Sequence, residues 1–154
     1  MQIYNVRIPQ FTLAATTTAF GTIVSAATRS FLVMEMDFEG MGTASAFNEV
    51  GLYRVATAGI TGSAALTFTS VDANSTIPAF AGTGFAAYAT QPVAGALLQN
   101  MPLNSNGQRY FWRCNPNLNN ALVVPGGAVA AGSIMLAPIS GTGSVSGRMQ
   151  LAEM

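Results

Sequence analysis

The segment Phe31-Leu-Val-Met-Glu-Met-Asp-Phe38 decides the fold class, because its side chains change character with a period of two residues. This alternation is typical of a β-strand that has one face on a core and the other on solvent or a neighbouring molecule. We therefore predict a half-buried strand here. Its apolar face would carry Leu32, Met34, Met36 and Phe38, and its acidic face would carry Glu35 and Asp37.

Similar runs recur along the whole chain and predict about eight or nine strands, since one or two of the runs are expected to be spurious. The runs lie near residues 2–8, 11–24, 30–38, 47–57, 64–71, 84–89, 108–114, 121–124, 128–137 and 143–151. Gly, Pro and Asn clusters separate them, as expected for turns. No segment predicts a helix, and residues 93–101 are expected to be extended because Gly95 and Pro102 disfavour one.

Many short strands without a βαβ rhythm indicate an all-β sandwich or barrel. We predict an antiparallel two-sheet jelly roll that forms a single domain over residues 1–154. The apolar stretch at residues 1–30 is treated as an extended segment used in contacts with other chains, since its apolar residues exceed what one edge strand would bury. The contact residues predicted from it are Phe11, Leu13 and Phe20, accompanied by Ile23 and Val24.

The composition argues against catalysis. The chain has no His, its six cations are all Arg, and it has one Cys, so the usual general bases and activated nucleophiles are scarce. Only 8% of the residues are charged, against roughly 25% in an average protein, and such a surface usually marks a contact. No basic stripe, metal-ligand cluster or cofactor motif is present, so we expect no nucleic-acid partner, no metal and no cofactor. Cys114 is expected to be a buried thiol.

The segment from Glu49 to Arg54 contains the first candidate contact residues, Glu49, Tyr53 and Arg54. In a regular strand Glu49 and Arg54 face opposite sides, but a bulge at Gly51 would bring them together. An ion pair that orders an interface and two solvated charges are equally compatible with the sequence.

The segment Arg109-Tyr-Phe-Trp-Arg113 contains the second set. Alternation places Arg109, Phe111 and Arg113 on one face and the other aromatic residues on the core side. Aromatic residues between arginines are able to stack on bases or sugars. We favour a core strand whose basic outer face contacts a neighbour.

Glu35, Asp37 and Glu39 are the only clustered carboxylates. A glycosidase pair is one interpretation, and the polar outer face of a strand is the favoured one.

Four segments resemble the small head decoration (cement) proteins of tailed bacteriophages, loosely over residues 30–154. They are Asn48-Glu-Val-Gly-Leu-Tyr-Arg-Val-Ala-Thr-Ala-Gly59, Gln108-Arg-Tyr-Phe-Trp-Arg113, Leu122-Val-Val-Pro-Gly-Gly127 and Gly143-Ser-Val-Ser-Gly-Arg-Met-Gln-Leu151.

The resemblance implies a non-enzymatic virion protein that is made in the host cytoplasm and binds the major capsid protein at the capsid surface as a homotrimer. A membrane partner is not expected, because the most apolar stretch is too short to span a bilayer. Two alternatives remain: a carbohydrate-binding module of a tail fibre or host-attachment complex, stacking sugars on Tyr53, Tyr88 or Phe111, and a hydrolase that uses Glu35 and Asp37.

Overall fold

Twelve strands account for most of the residues that the computed structural model describes, which are 1–13, 18–56, 60–72, 78–114, 122–127 and 132–154. The strands are β1 (Gln2–Thr12), β2 (Gly21–Val24), β3 (Phe31–Met41), β4 (Phe47–Val55), β5 (Gly62–Ala65), β6 (Phe68–Ser70), β7 (Thr83–Tyr88), β8 (Ala94–Asn104), β9 (Asn106–Arg113), β10 (Leu122–Val124), β11 (Ser133–Ser140) and β12 (Ser144–Glu153).

The strands form two antiparallel sheets. Sheet A has the order β10-β3-β12-β1-β6, with β9 pairing on β3 beside β10, and sheet B has the order β5-β7-β2-β11-β4-β8. Successive strands β1 to β4 alternate between the sheets, so that the blocks β1-β12-β3-β9 and β2-β11-β4-β8 face each other. Eight strands in two such sheets form a jelly-roll-like sandwich. The all-β, two-sheet prediction is therefore confirmed.

The main core lies between the inner faces of the two sheets. Phe80, from the loop before β7, is in edge contact with Tyr4 and Phe31 and stacks on Phe68, with ring centroids 5.4, 5.8 and 4.3 Å apart respectively. Aromatic pairs at these distances stabilise a core beyond the area they bury. Residues 93–101 are extended as predicted, since most of them lie in β8.

A second apolar cluster covers part of the outer face of sheet B. Its buried members are Ala19, Val55, Met135 and Ala137. Because Ile134 and Leu136 point into the main core, β11 is buried on both faces. The predicted run at residues 128–137 lacks alternation because both faces of its strand are buried. This holds for the part in β11, since residues 128–131 lie outside the described part of the chain.

The face assignment predicted for β3 is wrong in its first half. Gln150 of β12 lies opposite Glu35, but the next residue, Leu151, lies opposite Val33, so Met34 is the extra residue of a bulge. The bulge reverses the alternation, and Phe31 and Val33 enter the core in place of Leu32 and Met34. Met36 and Phe38 lie in the core as predicted.

Residues 1–30 supply a strand to each of the two sheets. The segment supplies β1, which lies between β12 and β6, and β2, which lies between β11 and β7. Leu13 and Phe20 are each 1% exposed, and Phe11 stacks on Phe20 at 5.0 Å. These side chains fill this chain's own core, because the segment contributes to both sheets rather than to one edge. Ile23 is likewise buried and Val24 is half-buried.

Two of the predicted runs are each divided between two strands. The run at 11–24 is divided between the end of β1 and β2, and residues 14–17 lie outside the described part. The run at 64–71 is divided between β5 in sheet B and β6 in sheet A. A change of sheet cannot be read from alternation, because both strands keep the same period.

Candidate functional site

The outer face of sheet A gathers most of the charge of the chain. Strands β1, β12, β3 and β9 are neighbours there, so their outward side chains form rows across the sheet. In one row Arg7 lies opposite Arg148, Arg148 opposite Asp37, and Asp37 opposite Phe111. We call this surface the charged face; its ionisable residues are Arg7, Glu35, Asp37, Glu39, Arg109, Arg113 and Arg148.

Two nearly buried carboxylates hold three arginines on the charged face. Asp37, 5% exposed, accepts hydrogen bonds from Arg109 Nε at 2.7 Å and Nη2 at 2.5 Å, and from Arg148 Nε at 3.2 Å. Glu35, 7% exposed, accepts from Arg113 Nη2 at 2.8 Å and Arg148 Nη2 at 3.2 Å. Arg148 therefore bridges the two carboxylates, and charge-assisted bonds of this kind position the side chains firmly.

The electrostatics do not favour acid catalysis by Asp37. The hydrogen bond from the Arg109 guanidinium holds the pKa of Asp37 below its ordinary value, and burial opposes this shift only in part. A glycosidase general acid needs a raised pKa so that it carries a proton to donate. The arrangement of Asp37 suits an anchor for arginines better than a proton donor.

A groove of about 570 Å³ runs along the charged face from β9 to the residues around β6. Its ionisable lining consists of Arg7, Arg109, Arg148, Asp37 and Glu39, and we call it the arginine groove. Small-molecule sites commonly have volumes of roughly 300–1,000 Å³. The remaining polar lining is formed by Asn5, Thr67, Thr69 and Ser146.

Glu49 and Arg54 do not come together. Glu49 accepts hydrogen bonds from Ser140 Oγ at 3.0 Å and Asn100 Nδ2 at 3.2 Å, whereas Arg54 Nη2 donates to the carbonyl oxygen of Val123 at 2.5 Å. The pairing of β4 is regular at Gly51 itself. The register shifts lie on either side of Tyr53 in the pairing with β8, and between Pro138 and Ser140 in the pairing with β11. The bulge proposed at Gly51, and the ion pair that depended on it, are therefore absent from this part of the described chain.

The two faces predicted for residues 109–114 are confirmed. Tyr110 and Trp112 pack against the main core, and Cys114 is buried. Phe111 is 54% exposed, and the guanidinium carbon of Arg113 lies 5.8 Å from its ring centroid. Phe111 thus presents an aromatic side chain beside the ion-paired arginines.

Tyr53 and Tyr88 are less accessible than a sugar-stacking platform requires. Tyr53 is half-buried, and its ring lies so close to Gly51 that a Cβ there would overlap it. The Tyr88 hydroxyl accepts from buried Thr22 and donates to the carbonyl oxygen of Phe85 at 2.8 Å, and burial raises the pKa of Tyr88 to about 12. Of the three aromatic candidates, Phe111 is the most exposed.

Arg7 and Arg148 are the functional candidates that the sequence analysis missed. Arg148 belongs to an alternating run, Ser144 to Leu151, so its outward direction was readable from the sequence. The pairing of β12 with both β1 and β3 was not readable, and it is this pairing that places Arg148 beside Asp37 and Arg7 beside Arg148.

Comparison with protein-family models, with curated proteins and with solved structures gave no match. Within the described residues, no three His, Cys, Asp or Glu side chains are grouped so that they could hold a metal ion. The same residues include no helix with the length and apolar character needed to cross a membrane.

Proposed function

We propose that this chain is a non-enzymatic structural protein of a virion that forms a symmetric oligomer on the outer surface of a phage capsid. The resemblance to decoration proteins makes a homotrimer the expected oligomer and the major capsid protein the expected partner. The fold is compatible with this role, because a two-sheet sandwich offers broad outer faces and sheet edges for contacts.

The observation that carries the proposal is the uncharged edge of sheet B. Strand β8 is eleven residues long, contains no ionisable side chain, and in the described part of the chain pairs only with β4. Leu97 on this strand is 49% exposed, and Val93 just before it is exposed as well. Proteins usually protect such edges with charges, because an open edge pairs with other chains.

The remaining protection of this edge is limited. Pro102 removes one backbone donor near the end of β8, and the register shifts around Tyr53 distort the pairing with β4. Neither feature covers the apolar side chains. An edge of this kind is suited to a permanent contact, which we place between copies of this chain or between the chain and the capsid.

The first test is the solution mass of the purified protein, measured by light scattering, with co-sedimentation on expanded capsids. We expect a mass of three chains of 15.9 kDa each and recovery in the capsid pellet. A monomer that remains in the supernatant would contradict the proposal.

Two single-residue variants test whether the β8 edge forms the contact between copies of this chain. Leu97→Lys places a charge on the β8 edge and should lower the mass to that of a monomer while the circular dichroism spectrum stays unchanged. Val71→Lys is the matched control, since Val71 is similarly exposed at 48% but lies beyond β6. An equal loss of mass in both variants would argue against the β8 edge.

A further inference from the structure

The arginine groove carries a positive charge that its own carboxylates do not balance. The lining of the groove contains three arginines and two acidic residues. Asp37 already accepts hydrogen bonds from both Arg109 and Arg148. The charge available to a ligand therefore comes from Arg7. Among the described residues Arg7 makes no ion pair and no side-chain hydrogen bond, and it is exposed on β1.

Arg7 has a second arginine as its neighbour on the adjacent strand, and the ion pairs of that arginine with Asp37 and Glu35 offset only part of the repulsion. Arg7 lies directly opposite Arg148 in the pairing of β1 with β12, and like charges at such positions destabilise a sheet. An anion between the two guanidinium groups removes this repulsion. Arg148 uses Nε and Nη2 for its bonds to Asp37 and Glu35, which leaves its Nη1 donors for a further acceptor.

The rest of the lining indicates what kind of molecule carries the anion. Thr67 and Thr69 line the groove on the side of β6. Asn5 lies on β1 with Arg7, and Ser146 lies on β12 with Arg148. These groups both donate and accept hydrogen bonds. The only apolar residues of the lining are Val6 and Gly147, so the groove suits a hydroxyl-rich ligand and not an apolar one.

We propose that the arginine groove binds an acidic saccharide, whose carboxylate lies between Arg7 and Arg148 and whose hydroxyl groups bond to Thr67 and Thr69. Glu39, an exposed carboxylate at the β9 end, repels a second acidic group and so orients the sugar carboxylate toward Arg7. The groove and the β8 edge lie on different sheets, so variants at one site test it separately from the other.

The test is a titration of the full-length, isotope-labelled protein with sodium glucuronate, glucose and sodium sulfate, followed by NMR. We expect saturable shifts of the Arg7 side chain and of the Thr69 amide with glucuronate, and none with glucose. Arg7→Gln should weaken glucuronate binding by about tenfold or more, as expected for a lost charge-assisted hydrogen bond. Thr69→Val should weaken it too, without altering the charge.

Arg54→Gln is the matched control, because it removes one positive charge far from the groove and should leave the affinity unchanged. Three results would overturn the proposal. They are no shift with any probe, binding of sulfate as tight as that of glucuronate together with no effect of Thr69→Val, and equal weakening by Arg7→Gln and Arg54→Gln. The second result would identify an anion site without saccharide selectivity.

Discussion

Asp37 accepts hydrogen bonds from two arginines, and this makes the stability of the protein dependent on pH. Because the hydrogen bond from Arg109 lowers the pKa of Asp37 below its ordinary value, the folded state favours the ionised form more than the unfolded state does. The stabilisation is therefore complete above the ordinary Asp pKa and is lost as the pH falls through the lower, folded-state pKa.

We predict that Asp37→Asn lowers the free energy of unfolding by about 1–2 kcal/mol at neutral pH. Bonds to charged groups contribute about 1.5–3 kcal/mol, and the half-exposed arginines reduce this figure through solvent screening. Urea unfolding between pH 7 and about pH 2 should show the difference from the wild type shrinking as Asp37 becomes protonated.

Glu39→Gln is the control for this prediction, since Glu39 lies on the same strand but is exposed and forms no ion pair within the described residues. It should change the stability by less than about 0.5 kcal/mol. If both variants lose the same stability, or if the loss in Asp37→Asn is independent of pH, the Arg109 and Arg148 bonds do not act as described.

For individual side chains, the sequence indicated which face of a strand they occupy more reliably than which residues they contact. The outward direction of Arg109, Phe111 and Arg113 followed from alternation alone. The prediction that Glu35 and Asp37 lie together on the outer face of β3 was also correct, but the sequence did not indicate that both carboxylates are nearly buried. They are buried by three arginines from β9 and β12, and no local pattern reports which strand lies beside β3.

The bulge in β3 determines which of its methionines belongs to the core. Met36 is fully buried in the main core, whereas Met34 is half-buried and its carbonyl oxygen accepts from the Cys114 amide at 2.8 Å. An uninterrupted strand would place both methionines on the same face.

We predict that Met36→Ala lowers the free energy of unfolding by about 2–5 kcal/mol, because it leaves a cavity between the sheets. Met34→Ala should cost about 1 kcal/mol or less. The midpoints of thermal and urea unfolding measure both. Equal losses for the two variants would mean that β3 continues its alternation without a bulge.

The ends of the strands were predictable where clusters of Gly, Pro or Asn coincide with a reversal of the chain. They were less predictable where no such cluster is present. No Gly marks the bulge at Met34 in the sequence. The extra residue is accommodated by the pairing of β3 with β12, and not by a backbone preference of Met34 itself. The division of residues 64–71 between two sheets has the same origin, because the chain crosses the sandwich while keeping its alternation.

The two ends of the chain meet in sheet A. Gln2 pairs with Glu153, and Glu153 is nearly buried where it accepts from Arg29 Nη1 at 3.1 Å and from the Ala81 amide at 2.9 Å. The first and last strands are thus neighbours near the middle of one sheet, and closing the ends should cost little strain.

We predict that a circular permutant, with residues 154 and 1 joined by a short Gly-Ser linker and new ends between Ala89 and Thr90, folds to the same structure. Both residues are exposed in the connection between β7 and β8, where new ends are usually tolerated. Circular dichroism and a single cooperative unfolding transition would show this. The control permutant opens between Val50 and Gly51 inside β4 and should fail to fold; success of the control with failure of the first permutant would contradict the described topology.

The sequence by itself determined the strand-rich class, the faces of β9 and β12, the scarcity of catalytic groups and the low charge. These are local or additive properties: alternation with a period of two residues and composition do not depend on which strands become neighbours. Only the tertiary structure decided that residues 1–30 supply a strand to each sheet, that β3 bulges at Met34, and that Asp37 bonds to Arg109 and Arg148 while Arg7 lies beside Arg148. These features depend on pairing between residues far apart in the chain, whose register is set by the burial of whole faces in the core and leaves no signal in any one segment.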